Sequence, residues 1–163
     1  MSHHLDLKLV NVEDSPKDTV QQILWSRNSK MFATSSWDGY IRVYSVNEAG
    51  TGFLKMEFKI FLGEPVLSIA WDNDSNIIFA GMADGTVKAV ELATSNTQVI
   101  MELTAPIIRL FWEASGKYLI TVPLSDCFIL SGFNPPSQQI IPVSQKIVTA
   151  DFDYPFLVIA TNL

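Results

Sequence analysis

Val66-Leu67-Ser68-Ile69-Ala70-Trp71 is a short apolar run closed by tryptophan, and the chain writes it more than once. Val20-Gln21-Gln22-Ile23-Leu24-Trp25 stands before it and Ile107-Ile108-Arg109-Leu110-Phe111-Trp112 after it, with the tryptophans 46 and 41 residues apart. Ile147-Val148-Thr149-Ala150-Asp151-Phe152 begins a fourth copy, with phenylalanine in the closing place 40 residues further on. Runs of this length, rich in Val and Ile and bounded by turn residues, predict strands. No stretch sustains an i, i+3, i+4 apolar spacing, so no helix is expected.

Each copy continues in the same way. In the first, the turn Ser26-Arg27-Asn28-Ser29 leads to a second strand, Met31–Ser35, and the tight Asp38-Gly39 turn to a third, Tyr40–Val46, with an outer strand at Leu54–Phe61. Asp-Gly between two such runs is a strong hairpin signal, because glycine takes positive φ without a Cβ clash. The second copy predicts Val66–Trp71, Ile77–Ala80, Asp84-Gly85, Thr86–Leu92 and Thr97–Leu103. The third predicts Ile107–Trp112, Tyr118–Val122, Ser125-Asp126, Phe128–Leu130 and Gln138–Pro142; the fourth, Ile147–Phe152 and Phe156–Thr161. Leu5–Val10 alternates as a further strand.

A repeat of roughly 40 to 45 residues holding four strands is the mark of a propeller blade. The expected fold is all-β, a partial propeller with blades at about 18–61, 64–103 and 105–142 and the start of a fourth at 145–163. Propellers close with about four to eight blades, so the remainder of a ring or a second chain is needed to cover the outer sheet faces. Blades stacked in this way usually present a binding surface.

Composition narrows the partners. The 163 residues are 48% hydrophobic and 17% charged, with net charge −6. Residues 1–60 balance seven basic against seven acidic side chains, whereas residues 61–163 hold four against ten. Phosphate contacts need Lys and Arg, so the acidic second half argues against an RNA-binding surface there, a local basic patch near the first blade stays open, and RNA or ribonucleoprotein is expected as an indirect partner. Cys127 is the one cysteine, with no zinc-type Cys/His spacing, which predicts a reducing compartment. No secretory leader is legible and no apolar run reaches membrane-spanning length, so membrane insertion is not expected.

The recurrent carboxylates Asp38, Asp84 and Asp126 could form an acidic ring, but an aspartate that opens a turn bonds nearby amides, so these residues, with Gly39 and Gly85, are expected to be structural. Trp25, Trp71 and Trp112 close inner strands and are expected in the core rather than as a base-stacking platform. Trp37 falls between strands, where it either packs or anchors a partner. Lys30 and Arg42, with Arg27, form either a small basic patch or a solvated face. His3 and His4 adjoin near the terminus, and Cys127 has no histidine downstream. No catalytic constellation, phosphate loop or metal motif stands out, so neither an enzyme nor a cofactor is expected.

The segment from Asp18-Thr19-Val20 to Ser35-Ser36-Trp37-Asp38-Gly39-Tyr40-Ile41-Arg42-Val43-Tyr44 resembles degenerate WD repeats, in which Tyr44-Ser45, Val90-Glu91 and Ser131-Gly132 replace Trp-Asp. Asn47–Gly52, Gly63–Trp71 and Ala150-Asp151-Phe152-Asp153-Tyr154-Pro155 bring the likeness to the WD-repeat mRNA export factors of the nuclear pore. That resemblance implies a seven-bladed propeller that binds a nucleoporin segment of GLEBS type and aids messenger RNA export, in the nucleus, at the pore and in the cytoplasm. It implies partner binding at Trp37, with Arg42 or Lys30 as charge partners. The matching stretch of the third blade, Pro123-Leu124-Ser125-Asp126, has no tryptophan. Two other readings stay open: the sister branch, a spindle-checkpoint adaptor that binds kinases, and a propeller hydrolase or ligand-binding protein with channel carboxylates.

Overall fold

The computed structural model describes residues 11–28, 30–46, 54–113, 115 and 118–162. The expected Leu5–Val10 strand, His3 and His4, and the Asn47–Gly52 insertion lie outside these residues. Fourteen strands and no helix occupy the described part. The first sheet is β1 (Val20–Trp25), β2 (Met31–Ser36), β3 (Tyr40–Val46) and β4 (Leu54–Phe61), and the second β5 (Val66–Trp71), β6 (Ile77–Met82), β7 (Thr86–Glu91) and β8 (Asn96–Glu102). The third is β9 (Ile107–Trp112), β10 (Tyr118–Pro123), β11 (Cys127–Phe133) and β12 (Pro136–Pro142); β13 (Ile147–Asp153) and β14 (Phe156–Thr161) form a two-stranded sheet. Each sheet is an antiparallel meander, the order a propeller blade requires.

The third strand of the third sheet is longer than Phe128–Leu130, because pairing with β12 runs its whole length from Cys127 to Phe133. Ladder hydrogen bonds here override the weak strand preference of Ser131-Gly132.

β1, β5, β9 and β13 adjoin in series and form the inner edge. All four carry the same irregularity one residue in: pairing skips over Gln21, Leu67, Ile108 and Val148. A bulge of this kind tightens the local twist. It also turns Gln22 toward the second sheet, where its Oε1 accepts from Ser68 Oγ at 3.0 Å and from the Ile69 N–H at 2.8 Å. Ser68 Oγ in turn accepts from the Leu110 N–H at 3.0 Å, so two side chains tie three blades along the inner edge.

The core lies between sheets. One seam joins the first and second blades through Val43, Ile69, Trp71, Ile78 and Met82; a second joins the second and third through Val87, Ile107, Leu110, Leu119 and Ile129. A third gathers Ile120, Val122, Ile147 and Ala150. Fully burying a side chain of this kind contributes about 1.5–3 kcal/mol.

The three inner-strand tryptophans do not share one environment. Trp71 fills the first seam and donates its indole N–H to the Leu24 carbonyl at 3.2 Å. Trp112 is half-buried, stacked on Phe79 with centroids 4.9 Å apart and donating to Asn73 Oδ1. Trp25 departs from the expected core position: it is exposed, resting edge-on against Phe32, because no sheet among the described residues stands against that face of the first blade.

Candidate functional site

The loops that join the second and third strands lie at one end of the blades and share a backbone frame. The N–H groups of Trp37, Ala83 and Leu124 donate to the carbonyls of Thr19, Pro65 and Pro106, and those of Leu62, Leu103 and Val143 donate to Gly39, Gly85 and Asp126. Trp37 therefore has Ala83 and Leu124 as counterparts, and of the three only Trp37 offers an aromatic ring.

This frame places the turn aspartates. Asp38 Oδ1 accepts from the Tyr40 N–H at 3.1 Å and Asp84 Oδ1 from the Thr86 N–H at 2.9 Å. In the third blade the Cys127 N–H donates the equivalent bond to Ser125 Oγ at 3.4 Å, so Ser125 holds the aspartate position and Asp126 the glycine position. Gly39 and Gly85 have φ of 77° and 92°, whereas Asp126 is not among the positive-φ residues. A Cβ at Gly85 would stand 2.1 Å from the Leu103 carbonyl oxygen, so that turn admits only glycine.

Asp38 does more than shape its turn. It receives the Lys17 N–H at 3.0 Å and a two-pronged contact from Arg42, with Nη2 to Oδ2 at 2.8 Å and Nη1 to Oδ1 at 3.2 Å. Burial pushes its carboxyl up, but the Arg42 guanidinium, the Lys17 and Tyr40 amides and the Ser36 hydroxyl outweigh burial and hold it down at about 2. Arg42 itself is 0% exposed, with its guanidinium 4.9 Å from the Tyr40 ring centroid. The Arg42 charge is thus met inside the blade, beneath the Trp37 turn rather than on its surface.

Trp37 is 47% exposed. Its indole N–H donates to Gln21 Oε1 at 3.1 Å and its backbone N–H to Thr19, so the ring is held in place while a face stays open. Lys30 precedes β2 and Trp37 follows it, which separates the two by the length of a six-residue strand, about 20 Å. Of the three residues singled out in the sequence for partner binding, the structure brings Trp37 and Arg42 to one turn and leaves Lys30 at the opposite end.

Phe61, which the sequence reading passed over, is exposed beside this turn: its ring lies 4.9 Å from that of Tyr40 and against Gly39. Its signal was only its place at the end of an outer strand. Among the described residues no group of three His, Cys, Asp or Glu side chains could hold a metal ion.

Residues 8–45 and 57–89 match the family model "WD domain, G-beta repeat". The "mRNA export factor rae-1" of Caenorhabditis elegans is 30% identical over 91% of this chain and 42% of its own length. The "Poly(A)+ RNA export protein" of Schizosaccharomyces pombe is 30% identical over 96% of this chain and 45% of its length. The chain thus spans less than half of these curated relatives. Among solved structures, that titled "Structure of U3-55K" superposes with TM-score 0.70 over 81% of this chain and 42% of its own, at 11% identity, a likeness of fold alone.

Proposed function

The chain belongs to the WD-repeat family and is homologous to the mRNA export factors, and from that premise we propose that it serves as a non-enzymatic docking scaffold in export of messenger RNA. On this reading it acts in the nucleus, at the pore and in the cytoplasm, and meets RNA through ribonucleoprotein partners rather than directly. The acidic balance of residues 61–163 favours that indirect route.

The face bearing Trp37 would take the partner, an extended nucleoporin segment of GLEBS type. The observation that carries this reading is a large aromatic ring, half open, whose indole N–H and backbone are both already fixed. Such an anchor loses little freedom when a partner covers it, which is how hot-spot residues gain affinity. Phe61 extends the apolar surface on the same turn, and Lys17, exposed beside Asp38, would supply the surface charge that the buried Arg42 does not.

Calorimetric titration with a GLEBS-bearing peptide tests this. Trp37→Ala is expected to weaken binding by tenfold or more, since a hot-spot truncation costs about 2 kcal/mol. Equal binding by both proteins removes Trp37 from the site.

The same reading has the outer faces at Ile23 and at Phe156 and Val158 covered in the working assembly by further sheets, from the same polypeptide or from a second chain. Sedimentation of the 163-residue chain checks it: self-association is expected, and a dispersed monomer at all concentrations contradicts it.

A further inference from the structure

At the ends of the inner strands opposite Trp37, four sheets wall a cavity of about 480 Å³. Aromatic surface lines it from both sides: Trp25 and Trp112 on the first and third blades, Phe152 and Tyr154 on the fourth sheet. Among the described residues, Arg27 is the one basic side chain in the lining. Its Nη2 donates to the Trp112 carbonyl at 3.0 Å and its backbone N–H to Ser75 Oγ at 3.2 Å, so it ties the first blade to the next two. Against this engaged cation stand two exposed carboxylates, Asp151 and Asp153.

We propose that this cavity is a second docking site, which takes an arginine or lysine side chain carried by a protein partner. Aromatic faces attract a cation through their quadrupole, and the two carboxylates add a net negative field at the mouth. An RNA phosphate would meet those carboxylates and be repelled. A neutral apolar group would leave them facing it without compensation. The site lies a strand length from Trp37, about 20 Å, so both faces can be occupied at once.

The test follows the Trp25 and Trp112 indole N–H resonances of the 163-residue chain by NMR. The probes are a capped Gly-Ser-Arg-Ser-Gly peptide and its versions with lysine or glutamate at the centre. Saturable shifts with the arginine and lysine peptides, and none with the glutamate peptide, are expected. The double variant Asp151→Asn, Asp153→Asn keeps side-chain volume at exposed positions and is expected to weaken binding about fivefold or more. Asp126→Asn removes a carboxylate at the opposite end and is expected to change binding less than about twofold.

Three results would each overturn the proposal: no saturable shift with either cationic peptide, the same shifts with the glutamate peptide, or an Asp126→Asn effect as large as that of the double variant. Shifts of the same resonances by oligouridylate alone would overturn it in favour of a nucleic-acid site.

Discussion

Ile23 and Trp25 in the first blade hold the same repeat positions as Ile69 and Trp71 in the second, yet the first pair is 62% and 54% exposed and the second 0% and 3%. Residue types and strand are alike; what differs is whether another sheet stands in front. Burial in this fold is therefore a property of the seam, as expected for repeats whose stability is shared between neighbours. The Trp71 indole shows what a seam adds, since its N–H finds the Leu24 carbonyl of the adjoining blade.

The sharpest way to break this comparison is to truncate both tryptophans. Trp71→Ala should lower unfolding stability by about 3–5 kcal/mol, while Trp25→Ala should cost less than about 1 kcal/mol. Urea denaturation measures both, and equal losses would mean that the seam is not what distinguishes the two sites.

Turn glycines extend the comparison to the ends of the blades. At Gly85 an added Cβ meets backbone, the Leu103 carbonyl, whereas at Gly39 it meets the Phe61 ring at 2.7 Å. A ring can swing aside and a backbone carbonyl cannot. Gly85→Ala is expected to cost about 3 kcal/mol and Gly39→Ala about 1–2 kcal/mol, both carrying the strain of positive φ. Thermal midpoints would rank them, and the reverse order would refute the backbone clash.

Acid probes the ion pair specific to the first blade. Asp38 titrates at about 2 against an ordinary 3.8, so its stabilisation is present in full above pH 4 and is lost as pH falls toward 2. The lowered value corresponds to about 2 kcal/mol across that window. Stability followed from pH 5 to pH 1.5 should show the loss, and Asp38→Asn should flatten that part of the curve. An unchanged slope in the variant would assign the acid sensitivity elsewhere.

The smallest effect belongs to the third blade, where a serine takes the aspartate's place. Ser125→Ala should cost about 0.5–1 kcal/mol, because a neutral hydroxyl bond at 3.4 Å replaces a charged one. A larger loss, read by the same denaturation, would show that Ser125 supports more than its own turn.

Much of the architecture was legible because its signals are local. A Val- or Ile-rich run closed by tryptophan is read within six residues, and Asp38-Gly39 and Asp84-Gly85 within two, so strands and hairpins followed from the repeat. Asp126 shows the limit. Ser125-Asp126 looks like an Asp-Gly turn shifted by one, and the backbone bonds from Leu124 to Pro106 and from Val143 to Asp126, made with segments outside the turn, show which residue stands where. The candidate site was legible at Trp37 and not at Arg42, because a basic residue in an alternating strand carries no sign of whether its charge meets water or a neighbouring carboxylate.

By itself, then, the sequence determined the all-β class, the repeat length and the turn chemistry, since each depends on the steric and hydrogen-bonding preferences of residues a few bonds apart. Tertiary structure alone decided that Arg42 is sealed against Asp38, that Trp71 is buried and Trp25 is not, and that residues from 25 to 154 share one cavity. Those outcomes depend on which atoms of distant blades come into van der Waals and Coulomb range, and only the stacked sheets bring them there.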